Sequence, residues 1–147
     1  MPFRVTMMLA DAAQAAENKL YVLGGGWDVI GPAPSPFAIA MLIQVPWDLT
    51  NRRHQWQLVL VDADGNPVIL PTPMGGEEPV AIEGEFEVGR PAGVAPGSWL
   101  AIPVAIMFAP LPLEPGGRYE WRLTVSDESD ENWRLPFAVR PPAPPQG

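Results

Sequence analysis

The sequence contains no cysteine, which excludes disulfides, thiolate metal sites and cysteine nucleophiles. Histidine occurs once, at His54, and lysine once, at Lys19. Any histidine-dependent triad or multi-histidine metal site would therefore rest on a single residue. Serine is nearly as sparse: Ser35, Ser98, Ser126 and Ser129 lie in proline-rich or acidic segments, and none sits in a Gly-x-Ser-x-Gly elbow. The glycines at 24, 25 and 26 lack the Lys-Ser/Thr of a phosphate-binding loop and the spacing of a dinucleotide fingerprint. Bases number 9 against 17 acids, a formal charge of -8 that repels phosphate backbones and anionic lipid. Nucleic acid is not an expected partner. No apolar run approaches the ~18 residues of a membrane-spanning helix, so membrane insertion is not expected either. The apolar run near Met1 is short and has only Arg4 before it, which argues against a secretory leader and for a cytoplasmic address.

What the chain does have is proline, 20 residues, and glycine, 14 residues, in a total of 147. Both break helices, so a helical bundle is disfavoured and a turn-rich all-β fold is expected. Alternation marks the strands. Phe3, Val5, Met7 and Leu9 alternate in the first, and Lys19 to Leu23 reads as the second. Between them ADAAQAAEN has helical composition over about two turns, predicting at most one short helix, capped by Asp11. Phe37 to Val45 reads as a buried strand, and Trp56, Leu58 and Leu60 form one face of the next. Asp62 to Asn66 signals a hairpin into a short strand at Pro67 to Leu70, with a loop over Pro71 to Pro79. Val80 to Val88 and Leu100 to Phe108 alternate cleanly, as do the segments around Tyr119 to Val125 and Trp133 to Val139. An acidic turn, Asp127 to Glu131, is expected to join the last two. The domain is placed at 1–140, with 141–147 as a flexible proline-rich tail.

Leu113-Glu114-Pro115-Gly116-Gly117-Arg118-Tyr119 resembles the tyrosine corner of fibronectin type III and related immunoglobulin-like domains. That resemblance implies an immunoglobulin-like or fibronectin-like β-sandwich of seven to nine strands. In it Pro115 and Gly116 shape a turn, the Tyr119 hydroxyl bonds back to nearby backbone, and Trp56 is the core tryptophan of a central strand. LADAAQAAENKLYVLGGGWDVI is similar to the opening of a family of small bacterial proteins of unknown function. Its members share an Ala-Asp-x-Ala segment, a Lys-Leu-x-x-Leu-Gly-Gly-Gly-Trp-Asp run and a closing Pro-Gly-x-Tyr-x-Trp hairpin. This resemblance implies no activity.

No catalytic constellation emerges, so the function expected is non-catalytic binding or assembly, with a protein partner or a second copy of the chain. The strand face Ala101, Pro103, Ala105 and Met107, with Ala38, Ala40 and Leu42 as its counterpart, is small and apolar. It suits close cover by residues 10 to 30 of this chain or by another molecule. Glu83, Glu85 and Glu87 stand roughly 7 Å apart along one strand face at ~3.4 Å per residue. They are expected either to ladder with Arg118 and Arg122 on an adjacent strand or to meet a basic partner. The alternative function is small-ligand or calcium binding at a loop end. Asp62-x-Asp64 followed by Gly65-Asn66 has the alternating oxygens of a calcium loop, and strand parity would bring Asp28, Asp127 and Asp130 to the same end. Trp27, Trp47, Trp99 and Trp133 near turns would then rim a ligand site or anchor loop ends. No other cofactor is expected.

Overall fold

The computed structural model describes residues 3–143, so most of the expected tail lies outside the described residues. In chain order the strands are β1 (Arg4–Ala16), β2 (Lys19–Gly25), β3 (Val29–Ile30), β4 (Phe37–Val45), β5 (Arg53–Asp62), β6 (Ile69–Pro71), β7 (Glu77–Pro79), β8 (Ala81–Glu87), β9 (Leu100–Phe108), β10 (Arg118–Val125) and β11 (Glu128–Val139). The protein is all-β. The one helical element among the described residues is a single 3-10 turn, Trp47–Leu49.

Strands β2-β1-β4-β9 form a four-stranded sheet and β3-β11-β10-β5-β8 a five-stranded one, with β6 and β7 as a separate ribbon. The inward residues of both sheets make one hydrophobic cluster. Ile39, Met41 and Ile43 of β4 join Leu58 and Leu60 of β5 and Trp121 and Leu123 of β10. Trp121 is wholly buried and packs 5.0 Å from the ring of Phe108 and 6.4 Å from that of Phe37. Alternation places these residues: in β5 the inward His54, Trp56, Leu58 and Leu60 are buried, whereas Arg53, Gln55 and Gln57 are exposed. Directly opposite Trp56 stands Gly84 of β8, and the indole lies across the space where a β-carbon would be.

Several expectations are corrected. The segment after Leu9 is no helix and Asp11 no cap, because β1 continues to Ala16 and pairs with β2. Two turns of alanine-rich chain are too short to hold a helix alone, and the sheet ladder overrides local propensity. The turn Glu17-Asn18 takes φ of 54 and 58°, the positive values a two-residue hairpin needs. Asp62 does turn the chain, but the segment that follows makes one bridge, Val61 to Pro67, and then pairs as β6 with β7 inside the expected loop. The expected acidic turn shrinks to Ser126-Asp127, and Glu128, Asp130 and Glu131 belong to β11. The short strands β3 and β7 raise the strand number to eleven, above the seven to nine expected.

Candidate functional site

The two sheets divide the charge of the chain between them. The four strands β1, β2, β4 and β9 carry Arg4, Asp11 and Lys19 and no other charged residue. Strands β5, β8, β10 and β11 carry Asp62, Glu83, Glu85 and Glu87, Glu120, Glu128, Asp130 and Glu131 together with four arginines. One outward surface is thus acidic and solvated, and the other is close to charge-free.

On that second surface the register sets Ala38 opposite Met107, Ala40 opposite Ala105 and Leu42 opposite Pro103, with Ala10 and Met8 of β1 completing the rows. Ala10, Ala38 and Ala40 face away from the other sheet yet are 0, 0 and 1 % exposed. The sheet itself supplies the cover. Strand β2 approaches both β4 and β9 to within 8 Å between Cα atoms, whereas in a flat sheet they would lie roughly 10 and 14 Å away. The outward face is therefore concave, and its alanines let the strands curl so closely. Ala101 and Met107 at the rim remain exposed, Pro103 and Ala105 half-exposed. Beyond Ala10 the β1–β2 hairpin runs on past β4, and there Tyr21, Val22 and Leu23 are exposed.

Glu83, Glu85 and Glu87 do point outward together. The expected ladder with Arg118 and Arg122 does not form, because β8 is an edge strand whose neighbour in the sheet is β5. Glu85 instead accepts from Gln55 Nε2 at 3.3 Å and lies 3.8 Å from Arg53, while Arg122 pairs at 2.7 Å with Glu120 on its own strand. The aspartates expected at one loop end are separated. Residue 62 of β5 pairs with Tyr119, and Trp56 at the other end pairs with Val125 beside the Ser126-Asp127 turn. Six residues at ~3.4 Å put Asp62 about 20 Å from Asp127. Among the described residues no three acidic or histidine side chains are grouped to hold a metal. The Asp62 carboxylate accepts from the backbone N–H of Asp64 (2.9 Å) and Asn66 (3.0 Å), and that of Asp130 from Asn132 (2.7 Å), so each stabilises its own turn.

His54, at the start of β5, is buried between Phe3 and Phe86, with ring centroids at 5.0 and 5.4 Å. Its Nε2 donates to the Leu49 carbonyl at 2.8 Å, which leaves Nδ1 to accept from the Ser126 hydroxyl at 3.0 Å. The pair ties the β10–β11 turn to β5 across 72 positions of chain, and no local motif announces it. Tyr119 Oη accepts from the backbone N–H of Glu114 at 3.0 Å, closing the Pro115-Gly116 turn, where Gly116 has φ of 83°. The tryptophans do not share a rim. Arg90 stacks over Trp47 at 4.0 Å, Arg4 over Trp99 at 4.1 Å, Trp133 is core, and Trp27 packs on Phe37. The apolar cavity beside Trp27, Phe37 and Leu111 has about 20 Å³ of space, enough to admit water.

Fold and site together define an all-β protein of two packed sheets, one outwardly acidic and one outwardly apolar. The chain belongs to the family of unknown function DUF6941, whose model matches residues 5–140. No curated protein and no solved structure matches it. No helix among the described residues is long and apolar enough to cross a membrane.

Proposed function

We propose that the protein is a non-catalytic, cytoplasmic assembly module that associates with a second copy of itself through its four-stranded sheet. The observation that carries this reading is the division of charge. Two molecules of formal charge -8 meet with least repulsion where acidic groups are fewest, and Asp11 is the one acidic residue in the strands of that sheet. The same sheet exposes Leu23 (71 %) and Met107 (54 %), beside Ala101, Pro103 and Ala105. Burying a leucine or methionine side chain contributes about 1.5–3 kcal/mol. The glutamate stripe of β8 then stays in solvent on the far side. The Tyr119–Glu114 hydrogen bond and the buried Trp56 favour an immunoglobulin-like or fibronectin-like sandwich as the scaffold.

The test is molar mass by light scattering and sedimentation over a wide concentration range, for the native chain and for a Leu23→Glu/Met107→Glu double variant. Both positions are well exposed, so the variant folds. A native chain that gains mass with concentration while the double variant stays monomeric is the expected result. A native chain that is monomeric throughout, or a double variant that associates as before, refutes the reading.

A further inference from the structure

The two main sheets end in four edges: β2 and β9 on one, β3 and β8 on the other. A free edge presents unpaired backbone N–H and C=O groups to any passing strand, and proteins obstruct such edges with proline, charge or shortness. Three of the four are obstructed here. Pro103 removes a donor from the middle of β9, Glu83, Glu85 and Glu87 line β8, and β3 is two residues long. Strand β2 is different. Between Lys19 and Gly24 it reads Leu-Tyr-Val-Leu, without charge or proline, and Tyr21, Val22 and Leu23 are 49, 38 and 71 % exposed. It is also thinly supported: β4 pairs with β1 only over Arg4–Ala10, so from Ala12 to the turn the hairpin is a two-stranded ribbon. Such a ribbon is marginal in water until a third strand joins it.

We propose that β2 pairs with β2 of a second copy, joining two four-stranded sheets into one continuous eight-stranded sheet. The inference rests on the self-association reading above and specifies its geometry. A strand that pairs with its own copy about a two-fold axis runs antiparallel to it. Each Lys19 is then brought to the Gly24 end of the partner strand, where the Asp11 carboxylate lies over Gly24. The cation of one hairpin thus meets the anion of the other, which a second copy supplies without further requirement. The contact is isologous and uses up the β2 edge of each chain, so it closes at two.

Hydrogen exchange read by mass spectrometry, on the native chain below and above its association range, tests the geometry. Edge pairing makes new backbone hydrogen bonds, so amides in residues 20–24 slow by about tenfold or more on association, while those of β9 are unchanged. Val22→Glu, beside the two-fold axis of this register, sets two carboxylates close together across the new pair and weakens association about tenfold or more, whereas Met107→Glu, on the opposite edge, leaves it intact. A dimer with fast-exchanging β2 amides that Met107→Glu dissociates refutes edge pairing but leaves self-association standing. Particles that grow beyond two chains refute the closed geometry. A chain that is monomeric at every concentration refutes both readings.

Discussion

Replacing Gly84 by alanine tests the packing of the five-stranded sheet at its tightest point. A β-carbon built on Gly84 falls 2.6, 2.7 and 2.8 Å from Cζ2, Cε2 and Nε1 of Trp56. Carbon atoms pack best at about 3.5–4.0 Å, so the methyl or the indole must retreat by about 1 Å. The indole is a rigid ring, 7 % exposed and held within the core cluster, so it has little room to move. Overpacking of this kind costs about 1–3 kcal/mol. Gly84 does not have a positive φ, so alanine also removes about 0.5–1 kcal/mol of unfolded-state entropy and offsets part of the loss. The net expectation is destabilisation by about 1–2 kcal/mol, or a fall in Tm of roughly 3–8 °C for a chain of this size. Urea unfolding followed by tryptophan fluorescence reads it directly, and adding Trp56→Phe makes a cycle. The smaller ring leaves space for the methyl, so Gly84→Ala should be less harmful in the Trp56→Phe background. A Gly84→Ala variant as stable as the native chain, or an additive cycle, refutes the steric argument.

Two further substitutions probe the turns. Ser126→Ala removes the hydroxyl that Nδ1 of His54 accepts from and keeps a β-carbon at φ of 50°, so a loss of about 1 kcal/mol is expected. Ser126→Gly loses the same bond but relieves the backbone, and thermal unfolding should rank it above Ser126→Ala; the reverse order contradicts the assignment. Tyr119→Phe deletes the acceptor for the Glu114 N–H and should lower stability by about 0.5–1.5 kcal/mol in a urea titration, with no change in fold by circular dichroism.

The parts of the fold that were legible are those whose side chains alternate strongly. In β8, Ile82 and Phe86 oppose Glu83, Glu85 and Glu87, and in β10, Trp121 and Leu123 oppose Glu120 and Arg122. A two-residue period of that contrast has one physical interpretation, a strand with one dry and one wet face. Residues 10–16 offered no such contrast. Alanine fits a dry face, a wet face and a helix equally, and the nearest turn, Glu17-Asn18, lacks the glycine that usually marks a hairpin. The same blindness affected Ser126-Asp127, whose acidic neighbours suggested a longer loop. In both cases the ladder across the turn, invisible in a single segment, decides the structure.

Which strand lies beside which was harder to read than which segment is a strand, and the candidate sites turn on it. The glutamate stripe was legible, but its arginine partners were not, because β5 stands between β8 and β10. The calcium reading failed for the same reason. It counted strand ends by parity, and the unexpected strand β7, which lies between β5 and β10 in the chain, put Asp62 and Asp127 at opposite ends of β5. The alanine face fared better because its logic needs only one neighbour pair, β4 beside β9, and no count of ends. Its depth was still hidden: Ala38 and Ala40 are buried by the curl of their own sheet, a property of several strands at once. Burial there removes those alanines from any contact with a second molecule and shifts the accessible apolar surface outward, to Met107 on one rim and to Tyr21, Val22 and Leu23 on the other. The unguarded β2 edge follows from the same strand order, since β9, β8 and β3 each carry an obstruction and β2 carries none from Leu20 to Leu23.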